Sequence, residues 1–288
     1  MDKKLLDLYD RYIEGAINRR AFLRKLTVLA GSTTAAWALL SLLEKNQGRA
    51  EIVPVDDSRL DTKHVSYAGT TGDIKAYWAK PKGDVKLPGV VVIHENKGLD
   101  PHIEDVARRV ALEGFLAMAP DALTPLGGTP KDKSDAAQMI KKLDQKQNLG
   151  NFLAAVQYLD SDPMCTGKVG VVGFCWGGTM ANQLAVHSQK VDAAVPYYGG
   201  QPAAEDVPKI KAFLLLHYAG LDERVNKGIP AYESALKAAG VNYQIYMYEE
   251  AKHAFNNDTR LERYNKEAAE LAWQRTISFF KEKLNWAG

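Results

Sequence analysis

Val169-Gly170-Val171-Val172-Gly173-Phe174-Cys175-Trp176-Gly177-Gly178 decides how the rest of the chain is read. Val169–Val172 has the β-branched continuity of a strand buried on both faces, and residues 176–188 read as a helix. A buried strand thus runs straight into G-x-C-x-G and then a helix, the nucleophile-elbow pattern with cysteine in place of serine. Such a nucleophile sits on a sharp, strained turn. Gly173 and Gly177 leave room for strand and helix to approach, and the positive end of the helix favours a thiolate and a developing oxyanion. The bland alternative is a core cysteine in a glycine-rich turn, and the elbow alone leaves it open.

Outward from the elbow, strands and helices alternate. His64–Ala68 and Ile74–Lys80 read as strands around the turn Thr71-Gly72-Asp73, followed by the β-branched run Val90–Ile93. A helix is expected over 102–113, a strand over Phe115–Ala119, and a helix over 131–160 broken near Asn148-Leu149-Gly150. Past the elbow come strands at Ala193–Pro196, Phe213–His217 and Tyr243–Tyr248, with helices over 228–239 and 260–283. This alternation predicts an α/β fold, a mostly parallel sheet with helices on both faces. No boundary is expected inside 61–288, which reads as one domain. The chain of 288 residues is 46% hydrophobic with a net charge of +2, the composition of a globular protein with no field for nucleic acid. Its two cysteines make neither a disulfide scaffold nor a zinc site, and no G-x-G-x-x-G or P-loop pattern is present. No cofactor or metal is expected.

An elbow needs an acid and a histidine after it. Leu214-Leu215-Leu216-His217-Tyr218-Ala219-Gly220-Leu221-Asp222 is a buried strand opening into a loop, and Tyr246-Met247-Tyr248-Glu249-Glu250-Ala251-Lys252-His253 is another. Asp222 and His253 therefore stand at carboxyl ends of strands, where open α/β sheets place their sites. His217 precedes the acid and reads as structural. Asp121 precedes the nucleophile, and Glu223 would need the loop shifted by one residue.

Together GFCWGG, AGLDERV and YEEAKHAF resemble the dienelactone hydrolase family, as do the Cys–Asp and Asp–His separations of 47 and 31 residues. The resemblance implies an α/β-hydrolase fold and a cofactor-free hydrolase of esters or lactones. In it Cys175 would be the nucleophile, His253 the base and Asp222 its orienting acid. The segment His94-Glu95-Asn96-Lys97-Gly98 matches the family loop whose glutamate contacts the resting thiol, so that role falls to Glu95. The backbone amides of Asn96 and Trp176 would form the oxyanion hole. Where dienelactone-cleaving members carry a carboxylate-binding arginine, four positions after the histidine, this chain has Asn257. Lys97 and Arg260 are the cations that could stand in, so Asn257, Lys97 and Arg260 are the expected substrate contacts. The rival class is a non-catalytic α/β-hydrolase-fold binding protein acting through its N-terminus.

Residues 1–60 form an N-terminal helical extension and linker. Asn18-Arg19-Arg20-Ala21-Phe22-Leu23-Arg24 before the uncharged run Leu26–Leu43 resembles a twin-arginine export signal, with Gly48-Arg49-Ala50 as a cleavage site and Glu51 as the mature start. That reading makes the protein periplasmic. Against it, Asp2, Asp7, Asp10 and Glu14 are unusual in a signal, while Leu5, Leu8, Tyr9, Tyr12 and Ile13 repeat at helical spacing. A retained amphipathic arm, packed on its own domain or on a second subunit as a homodimer contact, is the alternative and leaves the protein cytoplasmic.

Overall fold

The computed structural model describes residues 3–13, 15–46 and 51–286. The strands join in one sheet: β1 (Leu60–Gly69), β2 (Gly72–Pro81), β3 (Leu87–Ile93), β4 (Leu116–Pro120), β5 (Cys165–Phe174), β6 (Ala193–Tyr197), β7 (Phe213–Ala219) and β8 (Tyr243–Tyr248). Their order is β1-β2-β4-β3-β5-β6-β7-β8. β1 pairs with β2 and β2 with β4 antiparallel, and every later pair is parallel. The continuous apolar runs are explained by burial on both faces. Val91, Ile93, Val169 and Val171 enter one core, and Val90, Val92 and Val172 enter the other.

The first helices are α1 (Lys3–Ile13), α2 (Arg19–Ala30) and α3 (Thr33–Asn46). Leu5, Leu8, Tyr9, Tyr12 and Ile13, the residues at helical spacing, are buried with Phe22, Leu26, Leu40 and Leu43 in a core of their own. The uncharged run is folded back on itself. Asn18 caps α2, and Gly31 ends it in the left-handed region at φ 76°. No helix among the described residues is long and apolar enough to cross a membrane. The Gly48–Ala50 cleavage site lies outside the described residues. The arm packs on the same chain: Tyr12 donates to Asp132 at 3.1 Å, and Gln138 donates to the Gly15 carbonyl at 2.8 Å.

α4 (Pro101–Leu112) and α10 (Lys266–Lys283) cover one face of the sheet; α6 (Gln145–Asp160), α7 (Trp176–His187) and α9 (Ile229–Ala239) cover the other. This is the α/β-hydrolase fold. Several strands run longer than the sequence reading, and two helix boundaries also differ from it. The 131–160 helix breaks earlier than expected, between α5 (Lys133–Ile140) and α6, because Asp144 caps α6 by accepting from Gln147 N. Gly150 instead lies within α6, where its missing Cβ admits the Thr70 side chain. The last helix starts at Lys266 rather than 260, where Asn265 caps it by accepting from Ala268 N.

Candidate active site

β5 ends at Phe174, and Cys175 is the residue between strand and α7, with φ 56° and ψ −113°. This backbone region is unfavourable for a side chain bearing a Cβ. It is held by the Cys175 amide donating to the Tyr197 carbonyl at 3.0 Å and by Thr179 N donating to the Cys175 carbonyl at 3.1 Å. A Cβ on Gly173 would run into the Gly177 carbonyl, and one on Gly177 into the ends of Ile93 and His94. The glycines therefore bring β3 and α7 together at the thiol. Trp176 is the first residue of α7, and its amide has no acceptor within the helix.

The structure brings Cys175, His253 and Asp222 together. His253 Nε2 lies 3.0 Å from Cys175 Sγ, and its Nδ1 bonds the Asp222 carboxylate. Asp222 also caps α8 (Glu223–Asn226), accepting from Val225 N. Burial works to push the His253 imidazole down, but the Cys175 charge and the Asp222 carboxylate outweigh it and raise the group to about 10. Burial would raise Asp222, yet its hydrogen bond and charge pairing with His253 bring it below its ordinary value. His217 is fully buried, and its ring nitrogens are bonded to Tyr248 at 3.0 Å and Thr276 at 3.2 Å rather than to Cys175. Asp121 organises its own loop through Leu123 N and Thr129. Glu223 opens α8.

Glu95 sits after β3 as expected, but its hydrogen bond is to Asn257 Nδ2 at 2.7 Å rather than to the thiol. Its Oε1 is buried without a hydrogen-bond partner. Asn257 is 1% exposed and accepts from Thr259 through Oδ1, so both ends of its amide hold protein groups instead of facing an open pocket. Arg260, also expected at the substrate, is buried against Asp10 of the arm and Glu262. Lys97 is buried with Nζ lacking a hydrogen-bond partner. Asn96 is half-buried beside Glu95. The paired His94-Glu95 has a structural use: His94 Nε2 accepts from Ala122 N at 3.2 Å, while Nδ1 faces the Glu95 carbonyl, and the ring stacks on Trp176. Among the described residues no group of three or more His, Cys, Asp or Glu could hold a metal.

Residues 74–284 match the profile of the Dienelactone hydrolase family. The chain belongs to the dienelactone hydrolase family. It is 33% identical over 247 residues to the Escherichia coli K12 protein named "Putative carboxymethylenebutenolidase", a match covering 80% of this chain and 90% of that one. It is 34% identical over 224 residues to "Protein usf" of Aquifex pyrophilus, covering 73% and 94%. A crystal structure described as a "Putative Dienelactone Hydrolase" of Klebsiella pneumoniae superposes with a TM-score of 0.70 at 28% identity, covering 77% of this chain and 99% of that one. The chain is thus a dienelactone hydrolase-like hydrolase. The family match begins at residue 74, so the arm lies outside it.

Two features of this dienelactone hydrolase-family site were not among the expected site residues. Tyr198 follows β6 with φ 38°, its ring centroid 5.0 Å from that of His253 and its hydroxyl buried without a hydrogen-bond partner. Burial, then the Glu95 and Cys175 charges, push that phenol well above its ordinary value. The other is the tie between Arg263 and the arm. A tyrosine before Gly199-Gly200 at a strand end was a usable signal for the first; nothing local to residue 263 announces the second.

Proposed function

We propose that this protein hydrolyses carboxylic esters or lactones through a Cys175–His253–Asp222 triad. One observation carries the reading: the single His253 ring bridges the Cys175 sulfur and the Asp222 carboxylate on opposite nitrogens. Asp222 fixes the tautomer and orientation of the ring, and the imidazolium stabilises the thiolate. The thiolate attacks the substrate carbonyl. The oxyanion forms toward the amides of Asn96 and Trp176, an interaction worth about 3 kcal/mol per donor at the transition state. The C–O bond then breaks, His253 Nε2 gives its proton to the departing alcohol oxygen, and a Cys175 thioester remains. Water, deprotonated by His253, attacks the thioester and returns the thiolate with release of the acid. Esters and lactones with good leaving groups suit this order better than amides, because thiolate is expelled in preference to a poor amine leaving group.

The test uses a p-nitrophenyl ester and iodoacetamide. Cys165 is 5% exposed, and burial pushes its thiol up, so alkylation should fall on Cys175 first and remove hydrolysis in proportion. Cys175→Ala should be inactive. Hydrolysis persisting after complete, mass-verified modification of Cys175 would overturn the triad, and a wild type that hydrolyses no ester would favour the non-catalytic binding reading.

A further inference from the structure

We propose that the N-terminal arm is a working part of the catalytic unit, with Asp10 of α1 a positioning residue for His253. This rests on the triad reading above. The segment between β8 and α10 that carries His253 contains neither helix nor strand. Ala254, the next residue, is in the left-handed region at φ 67°, a conformation that surrounding contacts must hold. Those contacts come from two sides. From α4, His102 lies 3.1 Å and Arg109 2.8 Å from the Asp258 carboxylate. From α1, the Asp10 carboxylate receives Arg263 Nε at 2.7 Å and also bonds Arg260. Arg263 in turn donates from Nη1 to the His253 backbone carbonyl at 3.4 Å. One guanidinium therefore links a carboxylate of the arm to the main chain of the base.

The geometry singles out Asp10, which bonds both guanidiniums of the loop. Asp10 is 8% exposed and Arg260 3%. Neutralising Asp10 would remove the carboxylate that Arg260 and Arg263 share. Two guanidiniums pushed together in a site of low dielectric move apart, and the loop moves with them. The same face of α1 stands over the base: Asp7 and Asp10 line a groove with Asp222, His253, Lys252 and Arg263. The arm's apolar core lies elsewhere on α1, at Leu5, Leu8, Tyr9, Tyr12 and Ile13. Asp10 is thus not needed to fill that core.

The experiment uses the full chain, its mass verified to include residues 1–50. It compares wild type with Asp10→Asn, Asp10→Glu and Arg263→Gln. Three quantities are read: kcat and KM for p-nitrophenyl acetate, the pH profile of Cys175 alkylation, and Tm. Asp10→Asn should lower kcat at least tenfold with KM changed less than about threefold, since a base displaced by an ångström costs on the order of a hundredfold. It should also displace the alkylation profile. Asp10→Glu should restore most of the rate. Arg263→Gln should reproduce the loss, and the double variant should be no worse than either single one. An unchanged kcat and alkylation profile in Asp10→Asn, with only Tm lowered, would reduce the arm to packing and overturn the proposal. Multiplying losses in the double variant would do the same. If Asp10→Asn does not fold, Arg263→Gln and Arg263→Lys decide by the same readouts. Failure of the triad reading appears separately, as wild-type hydrolysis that survives alkylation of Cys175. The alkylation profile needs no turnover and still reports where His253 sits.

Discussion

Asn257 donates its side-chain amide to Glu95 across 162 residues of sequence, and both residues are buried. The position where an arginine would read a substrate carboxylate is occupied by a residue that holds Glu95 in place. Asn257→Ala should therefore cost about 1–3 kcal/mol in urea unfolding, because it strips a buried carboxylate of a hydrogen-bond donor. Asn257→Arg should pair with Glu95 and leave the kcat/KM ratio of a carboxylated lactone over a neutral ester within about threefold of wild type. A gain of tenfold or more for the anion would show that residue 257 faces the substrate after all.

His253 is raised to about 10 with the Cys175 charge as the leading upward influence. In Cys175→Ala the midpoint of the His253 ring, followed by NMR, should fall toward the ordinary histidine value of about 6.5. The sign for stability follows. A raised group stabilises the fold fully below its unfolded value of about 6.5, and that contribution fades as pH climbs toward about 10. The wild type should lose this increment over that alkaline window, and Cys175→Ala should lose less of it. Equal slopes would mean that the two side chains do not share the charge.

His217 gives the opposite dependence. Burial, then the nearby Arg275, holds it down at about 3. Its contribution is complete above about pH 6.5 and is lost as pH falls toward 3, because the unfolded chain takes up the proton first. The loss amounts to a few kcal/mol at most. His217→Gln should be less stable at pH 7 yet show a shallower decline between pH 6.5 and 3, measured by urea unfolding at stepped pH.

Cys175 stores backbone strain at φ 56°, ψ −113°. Strain of this kind is worth about 1–3 kcal/mol, offset in part by the 0.5–1 kcal/mol entropic penalty of glycine. Cys175→Gly should therefore be about 1 kcal/mol more stable than Cys175→Ala, and both should be inactive. If alanine proves the more stable, the turn is not strained.

The fold was legible because β3 and β5 are buried on both faces and so read as unbroken apolar runs, and because Gly173 and Gly177 mark a turn where backbones touch. Cys175, Asp222 and His253 could be named from the elbow and the order of the strand ends after it, since parallel strands deliver their carboxyl termini to one edge. The break at Asp144 was misplaced to Gly150 because a glycine that admits Thr70 and a glycine that stops a helix look alike in sequence. The substrate contacts were least legible. Whether Asn257 faces a ligand or Glu95, and whether Arg260 faces a pocket or Asp10, depends on loops whose path is fixed by residues far away in the chain.

The link between Asp10 and Arg263 spans 253 residues, nearly the whole polypeptide. A chain emerging from the ribosome offers its first helix long before the loop it will meet, and domains fold from the N-terminal end as synthesis proceeds. The β3–β5 core, the elbow and even the Asp222 loop can close while residue 263 is still unmade. The contact that settles the base is then among the last to form, so a truncated or nascent chain can own its cysteine without owning a competent active site.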